Sequence, residues 1–109
     1  MSNNVKLLQS FLNYCSDRSK VINQNIANTN TPEYKRHDVD FKSYFQSQLN
    51  ESGSKAEAMK NESILKEDKP VTIEEEMAEL AKNTMNFKFA SKRLSSHYKN
   101  LQTVIRSRG

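Results

Sequence analysis

The stretch VTIEEEMAELAKNTMNFKFASKRLSSHYKNLQTVIRSR, residues 71–108, decides the fold. It contains neither glycine nor proline, so we expect one uninterrupted helix of about 55 Å at roughly 1.5 Å per residue. Apolar and small residues recur along it with alternating spacings of four and three, a seven-residue repeat that predicts left-handed coiling with a partner helix. This C-terminal stripe consists of Ile73, Met77, Leu80, Thr84, Phe87, Ser91, Leu94, Tyr98, Leu101 and Ile105.

Both ends of this helix carry sequence signals. Thr72 and Glu75, three residues later, have the form of a capping box. The acidic run at 74–76 lies at the positive end of the helix dipole, and Arg106 and Arg108 lie at its negative end. These signals predict a helix that begins next to residue 72 and continues to the end of the chain.

A second heptad stripe near the N-terminus predicts an amphipathic helix over residues 5–26. The simplest architecture pairs the two stripes as an antiparallel coiled coil, because the segment between them is long enough for the chain to reverse. Phe11, Tyr14, Met85 and Phe89 flank the stripes and stay exposed in a free hairpin, which favours further helices from other molecules. The N-terminal stripe consists of Val5, Leu8, Leu12, Cys15, Ser19, Ile22 and Ile26.

The middle of the chain has no sustained hydrophobic period and is rich in Ser, Glu, Lys, Gln and Asn. Such a composition cannot bury enough apolar surface to offset chain entropy, so we expect a loop-rich, partly disordered segment. Short helices at 44–49 or 55–59 are the alternative. We therefore predict a single all-α unit with four segments: an N-terminal helix at 1–27, a turn and extended segment at 28–41, a variable linker at 42–70 and a C-terminal helix at 71–109.

The composition excludes several classes of protein. The 109 residues include 35% hydrophobic residues and only two glycines and two prolines, with a mean hydropathy of −0.87, which disfavours a β-sandwich or barrel. No apolar run approaches the roughly 20 residues that span a bilayer. The N-terminus lacks the pattern of a cleavable secretory signal. The lone Cys15 forbids an internal disulfide and fits a cytoplasmic origin.

The formal net charge of +4 is unevenly distributed, because no acidic residue follows Glu79. A basic helix of this kind is compatible with nucleic-acid or anionic-membrane binding, and a basic nucleic-acid-binding or scaffolding protein is one alternative. We favour a solvated or partner-facing surface and expect no nucleic acid, since no stacking motif accompanies the charge. The late basic residues are Lys82, Lys88, Lys92, Arg93, Lys99, Arg106 and Arg108.

No constellation of catalytic residues is visible in the sequence. His37, Asp38 and Asp40 make an incomplete set of metal ligands, and a polar loop explains them better. Cys15 lies on the N-terminal stripe, which favours a buried thiol over a nucleophile. A glycine-rich phosphate loop is absent from the sequence. We predict no enzyme, no cofactor, no metal and no small-molecule substrate.

A helix terminator follows the N-terminal stripe at residues 25–35, NIANTNTPEYK. Asn28 and Asn30 tolerate left-handed backbone and can cap the helix with their side chains. Pro32 forces the preceding residue out of the helical region, and Tyr34 can then fold back onto the helix end. The chain is therefore predicted to leave the helix here and continue in an extended segment.

The pattern N-I-A-N-x-N-T-P-x-Y-K in this segment closely resembles the signature of flagellar axial proteins, which comprise rod, hook and hook-associated subunits. Residues 38–41, DVDF, and 71–77, VTIEEEM, followed by Asn83, are most similar to the membrane-proximal members of the flagellar basal-body rod family. Many relatives have glycine at the position of Glu33. The middle of the chain matches nothing specific.

The resemblance implies a structural subunit of the proximal rod of the bacterial flagellum. Such subunits are exported without a cleaved signal through the flagellar type III apparatus. They assemble helically through their terminal helices into a hollow drive shaft and export channel on the periplasmic or cell-envelope side of the inner membrane. Self-association and contacts with other rod proteins, a FliE-type rod adaptor and the export gate are implied. Another rod subunit or a rod adaptor is the alternative within this class.

We expect the two stripes and the turn to carry assembly. The predicted assembly residues are Leu8, Leu12, Cys15, Ile22, Asn25, Ile26, Ala27, Asn28, Asn30, Thr31, Pro32, Tyr34, Met77, Leu80, Phe87, Leu94, Tyr98, Leu101 and Ile105.

Overall fold

A computed structural model describes residues 3–49 and 60–108, so the short helix considered at 55–59 lies outside the described residues. Long helices at the two ends of the chain confirm the predominantly helical fold that the sequence predicts. The elements in chain order are helix α1 (Asn3–Ala27), strand β1 (Lys35–Val39), helix α2 (Phe41–Leu49), strand β2 (Ile64–Pro70) and helix α3 (Ile73–Arg108).

The long helices end and begin where the sequence signals place them. α1 ends one residue before Asn28, whose side-chain Nδ2 donates a 2.8 Å hydrogen bond to the carbonyl of Gln24. α3 begins directly after Thr72, whose carbonyl accepts the N–H of Glu76 at 3.0 Å. α3 then continues unbroken through 36 residues, as the lack of glycine and proline in this stretch predicts.

Two short strands correct the all-α prediction. β1 and β2 pair as an antiparallel two-stranded sheet in which His37 lies opposite Lys66. The sequence concealed β2, ILKEDKP, because its residues are nearly all exposed and show no apolar alternation. The strand β2 is held in place by backbone pairing with β1 and by ion pairs such as that between Arg36 Nη1 and Glu67 Oε1 at 2.9 Å.

Within residues 42–70 the structure places most of α2, close to the short helix considered at 44–49, and all of β2. The carboxylate of Asp40 caps α2, accepting hydrogen bonds from the N–H and the hydroxyl of Ser43 at 3.0 and 2.7 Å. An aromatic cluster joins α2 to α1, and it shares Tyr44 with the small core of Val21, Val39 and Tyr44. The cluster consists of Phe11, Tyr14, Phe41, Tyr44 and Phe45.

α1 and α3 pack side by side and antiparallel. Asn25, near the end of α1, contacts Glu76 at the start of α3, whereas Cys15 contacts Asn83 further along α3. The N-terminal stripe is directed inward, with Cys15 and Ile22 buried. The stripe on α1 is therefore covered within the chain.

On α3 the buried positions also recur every seven residues, but each lies one position before a member of the predicted stripe. Met77, Thr84 and Ser91 are exposed, and Met77 retains 60% of its accessible surface. A coiled coil along the predicted C-terminal stripe is therefore not confirmed. Hydrophobic periodicity does not identify the buried set, because two of its members are polar and are held in place by hydrogen bonds. The buried set is Glu76, Asn83 and Ala90.

The hairpin leaves a large apolar surface uncovered, mostly on α3. In the part of the chain that the structure describes, no helix is both long and apolar enough to cross a membrane. The most exposed large apolar residues of α3 are Met77, Met85, Phe89, Leu101, Val104 and Ile105.

Candidate functional site

Asn25 connects the turn to three elements of the fold. Its side chain is fully buried, and its Nδ2 donates to the carbonyl of His37 at 2.7 Å and to Glu76 Oε2 at 3.1 Å. Its Oδ1 accepts the N–H of His37 at 3.0 Å and the hydroxyl of Tyr34 at 3.2 Å. An amide has two donor hydrogens and two acceptor lone pairs, so this side chain is fully satisfied. It holds α1, β1 and α3 in a fixed relation to the turn.

A buried ion pair joins β1 to α3. Glu76 has no exposed surface, and its Oε1 accepts a 2.6 Å hydrogen bond from Arg36 Nε. The guanidinium of Arg36 also contacts Asp38 Oδ2 at 3.0 Å and Glu67 Oε1 at 2.9 Å. Removing a carboxylate from water costs free energy, and a close, hydrogen-bonded guanidinium offsets that cost.

A second arginine joins α1 to both β1 and α3. Arg18 Nε and Nη2 donate to the two oxygens of Asp38 at 2.8 and 3.1 Å, and Nη2 also donates to Glu79 Oε2 at 2.8 Å. Asp38 is thus shared between two guanidinium groups. We name this cluster the polar clasp, and its members are Arg18, Asn25, Arg36, Asp38, Glu76 and Glu79.

Three groups of the polar clasp, Arg18, Asp38 and Glu79, are shifted toward their ionised forms. Burial opposes the ionisation of Asp38, but the hydrogen bonds and the charge of Arg18 outweigh it and lower the pKa of this carboxyl group. The hydrogen bond from Arg18 also lowers the pKa of Glu79. In turn, the hydrogen bond to Asp38 raises the pKa of Arg18 further. The three groups therefore remain charged at neutral pH.

Asn83 fixes the position of α3 along α1. Its Nδ2 donates to the carbonyl of Cys15 at 2.6 Å and to the hydroxyl of Ser19 at 2.8 Å. Its Oδ1 is buried without a hydrogen-bond partner among residues 3–49 and 60–108. Burial raises the pKa of the Cys15 thiol, which suits a packing residue rather than a nucleophile.

The turn itself contains a residue with an unfavourable backbone conformation. The N–H of Tyr34 donates to the carbonyl of Thr31 at 3.3 Å, and Glu33 has a positive φ of 62°. Proline at the second position and a positive φ at the third fit a type II turn, in which glycine is preferred at the third position. The turn forms here with Glu33 in that place.

The α1 members of the predicted assembly set are directed toward the rest of the chain. Cys15 and Ile22 are buried, and Leu8, Leu12 and Ile26 are half-buried. These side chains are largely occupied by packing within the hairpin.

The predicted turn residues divide into buried and exposed positions. Asn25 and Tyr34 are brought together in the hydrogen-bonded network, and Asn28 caps α1 while its Oδ1 accepts the hydroxyl of Thr31 at 3.0 Å. The exposed positions of the turn set are Ala27, Asn30, Thr31 and Pro32.

The α3 members of the set are mostly solvent-exposed. Leu80 and Leu94 are half-buried and lie on the side that meets α1. The rest remain available to other molecules. The exposed members are Met77, Phe87, Tyr98, Leu101 and Ile105.

Sequence reasoning missed most of the polar clasp and also Asn83. One signal was present, because Glu76, Asn83 and Ala90 recur at seven-residue intervals. The acidic run at 74–76 has the pattern of helix-start charge, and this pattern does not distinguish Glu76, which is buried, from its two exposed neighbours. Arg36, the partner of Glu76, lies 40 residues earlier in the chain, and Arg18, the partner of Glu79, lies 61 residues earlier. No local sequence pattern identifies partners at these distances.

The arrangement consists of ion pairs and hydrogen bonds that join α1, β1 and α3. Among the described residues no group of three or more His, Cys, Asp or Glu side chains could hold a metal ion. The two guanidinium groups of the polar clasp form ion pairs with its three carboxylates. The fold and the site thus define a class of protein, a clasped helical hairpin with an open apolar face that suits assembly with other subunits.

Comparison with known proteins finds a flagellar protein that is similar to this chain. The chain is 28% identical, over an alignment of 125 residues, to the flagellar basal body rod protein FlgB of Bacillus subtilis (strain 168). The alignment covers 95% of this chain and 94% of the relative. No family model matches the chain. The resemblance to flagellar basal-body rod proteins, and among them to FlgB, is confirmed by this relative.

Proposed function

We propose that this protein is a structural subunit of the proximal part of the bacterial flagellar basal-body rod. The observation that carries the proposal is the similarity to a rod protein over nearly the whole of both chains. The polar clasp supports it physically, because it ties the rod-type turn to both terminal helices. The protein then has a mechanical role, as part of the shaft and the wall of the export channel.

Helical assembly through the terminal helices accounts for the uncovered apolar surface. Neighbouring subunits would remove the exposed side chains of α3 from water, and binding to the folded form also stabilises it. A contact between two different patches does not close on itself, and its repetition generates a helical tube. We propose copies of this chain, other rod proteins, a FliE-type rod adaptor and the export gate as partners.

Within this proposal the predicted assembly residues have two roles. Cys15, Ile22 and Asn25 maintain the hairpin, since their side chains are consumed inside the chain. Met77 and Leu101, which retain 60% and 49% of their accessible surface, contact neighbouring subunits directly. The first group therefore affects folding, and the second affects assembly alone.

A substitution in the second group tests the proposal. We expect Leu101→Asp, expressed in a strain of the source bacterium that lacks this gene, to abolish motility and recovery of the chain in purified basal bodies. A charge at this position would be buried against a neighbouring subunit. Gln102→Asp is the matched control, because it adds the same charge to the adjacent polar, exposed position. Its motility should remain near that of the wild type.

Two outcomes would contradict the proposal. Absence of the wild-type chain from purified basal bodies, in a bacterium whose motility requires the gene, would show that the protein is not a rod subunit. Alternatively, full motility of the Leu101→Asp strain would show that the C-terminal part of α3 does not form an assembly contact. Immunoblotting of purified basal bodies with an antibody against a tag on the chain, compared with the tagged wild type, distinguishes these outcomes.

A further inference from the structure

The two edges of the β1–β2 sheet differ in how their backbone groups are satisfied. On the edge formed by β1, the side chain of Asn25 accepts the N–H of His37 at 3.0 Å and donates to its carbonyl at 2.7 Å. The N–H of Val39 donates to Asp38 Oδ1 at 2.7 Å. Side chains of this molecule therefore occupy the backbone groups that another strand would need on this edge.

The edge formed by β2 is open. In an antiparallel ladder, residue pairs that bond to each other alternate with pairs whose N–H and carbonyl groups point away from each other. His37 forms a pair of the second kind, because its backbone groups bond to Asn25 instead of Lys66, which lies opposite. The backbone groups of Lys66, and of Ile64 opposite Val39, therefore point outward. They have no hydrogen-bond partner within the part of the chain that the structure describes.

A cleft of about 260 Å³ lies beside this open edge, between α1, α2 and β2. Val21, Val39 and Tyr44 line it and are buried, so its deepest part is apolar. The side chain of Ile64 also lines the cleft and retains 43% of its accessible surface. Because directly opposed residues of neighbouring strands project to the same face, a strand added beside β2 would place one side chain next to Ile64, at the cleft.

The rim of the cleft is basic. Lys20 and Lys60 line it, and Asp17, the carboxylate among its described lining residues, is bound to Lys60 at 3.1 Å. Lys66 is exposed, forms no ion pair with another described residue, and lies two residues from Ile64, hence on the same face of β2. The other charged residues of β2 are already paired: Glu67 with Arg36, Asp68 with Lys35 and Lys69 with Glu75.

We propose that β2 accepts an additional strand from a different protein, with an apolar side chain opposite Ile64 and an acidic side chain opposite Lys66. Backbone hydrogen bonds to the open edge give affinity in this mode of recognition, and the alternate side chains give specificity. Edge lysines disfavour pairing between two copies of β2 and attract an acidic strand. The contact goes beyond the proposed function, which depends on the exposed face of α3, and it lies on a different surface.

A peptide titration of the isotope-labelled full-length chain tests the contact. The probe is the acetylated and amidated peptide Thr-Glu-Thr-Val-Thr-Glu-Thr, which presents Glu, Val and Glu on one face when it is extended. Amide NMR spectra measure chemical shifts and exchange with solvent. We expect the N–H groups of Ile64 and Lys66 to shift and to become protected from exchange, because they acquire carbonyl partners. The N–H of Leu65, which pairs with β1, should change little.

Two kinds of control separate backbone pairing from charge. The peptide with Lys in place of both Glu residues should bind at least about tenfold more weakly, because attraction to the basic rim becomes repulsion. Lys66→Pro removes one outward N–H, and an edge strand tolerates proline where its N–H faces solvent, so the urea midpoint should stay close to that of the wild type. Its affinity for the acidic peptide should decrease at least about tenfold. Lys66→Ala retains the N–H and loses the charge, and its affinity should lie between those of the wild type and Lys66→Pro.

Several results would overturn the inference. These are unchanged amides of Ile64 and Lys66 in the presence of the acidic peptide, equal affinity for the acidic and the basic peptide, and equal affinity of Lys66→Pro and the wild type. If Lys66→Pro does not fold, the two peptides and the wild-type chain decide alone. Shifts of the same amides with protein concentration, without peptide, would assign the edge to a second copy and overturn the inference as well. None of these results alters recovery of the chain in basal bodies, which decides the proposed function.

Discussion

The two terminal helices carry similar heptad stripes, yet they use them differently. The stripe of α1 is covered within the chain, because α1 packs against α2, β1 and α3. α3 packs mainly against α1, through a buried set that contains Glu76 and Asn83, while its apolar stripe is largely exposed. A heptad stripe therefore identifies a surface that needs covering, but it does not identify which molecule covers it. The stripe of α1 is covered by other parts of this chain, and we propose that the stripe of α3 is covered by a neighbouring subunit.

The largest expected effect comes from breaking the polar seam of α3, which consists of Glu76 and Asn83 with their hydrogen-bond partners. Arg36→Met leaves Glu76 buried without its close cation, and we expect a loss of about 3–5 kcal/mol in the free energy of unfolding. Urea denaturation followed by far-UV circular dichroism measures this loss. Lys66→Met, at an exposed position of β2, is the control and should change stability little.

The double variant Arg36→Met/Glu76→Met completes this test. If the penalty of the single variant arises from an uncompensated buried charge, removing the carboxylate as well should restore much of the stability. A single variant that costs less than about 1 kcal/mol would mean that Glu76 is not held in a dry, paired environment, and the polar seam would lose its structural role.

Truncating one apolar residue on each helix tests the comparison directly. Ile22 on α1 is fully buried, so Ile22→Ala should reduce the free energy of unfolding by about 2–5 kcal/mol. Met77 on α3 is 60% exposed, so Met77→Ala should change it by less than about 0.5 kcal/mol. The same two variants are then assayed for recovery in basal bodies. Equal destabilisation by both would show that the predicted stripe of α3 is covered within the chain.

Much of the fold follows from local patterns, and the remainder follows from distant partners. Asn28, Pro32 and Thr72 mark helix ends through their own backbone chemistry, so the end of α1 and the start of α3 could be predicted. The strand β2 could not, because its exposed residues are ordered by pairing with a segment about 30 residues earlier. Glu76 was hidden for the same reason, since a buried carboxylate is identified by its arginine partner and not by its neighbours in sequence.

Asn83 provides an intermediate test of the polar seam. We expect Asn83→Ala to cost about 1–3 kcal/mol, because the hydrogen bonds to the carbonyl of Cys15 and the hydroxyl of Ser19 are lost in a buried setting. Asn86→Ala, three residues later on an exposed side of α3, is the matched control. Urea midpoints of the two variants should differ clearly. Coincident midpoints would show that Asn83 does not contribute to helix pairing.

Acid should weaken the polar clasp before it affects the apolar contacts of α1. The pKa values of Asp38 and Glu79 are lower in the folded protein than in the unfolded chain, so the folded state binds fewer protons. Their contribution to stability is complete above the unfolded values of about 4 and is lost as the pH falls through the lower folded values. Thermal unfolding between pH 6 and pH 3 measures this loss. In Asp38→Asn the decline should be shallower, and an unchanged decline would exclude Asp38 as its source.

The smallest effect concerns the turn that precedes the polar clasp. Glu33 has a φ of 62°, a region in which a side chain clashes with the backbone and glycine does not. Glu33→Gly should therefore stabilise the folded state, but the gain is limited to about 1 kcal/mol because glycine also increases the entropy of the unfolded chain. Glu33→Ala separates the two contributions, since it removes the carboxylate while retaining a Cβ atom, and it should give no such gain. If Glu33→Ala raises the free energy of unfolding as much as Glu33→Gly does, the charge of the Glu33 side chain lowers stability, and not its backbone conformation. The hairpin would then form without backbone strain at this position.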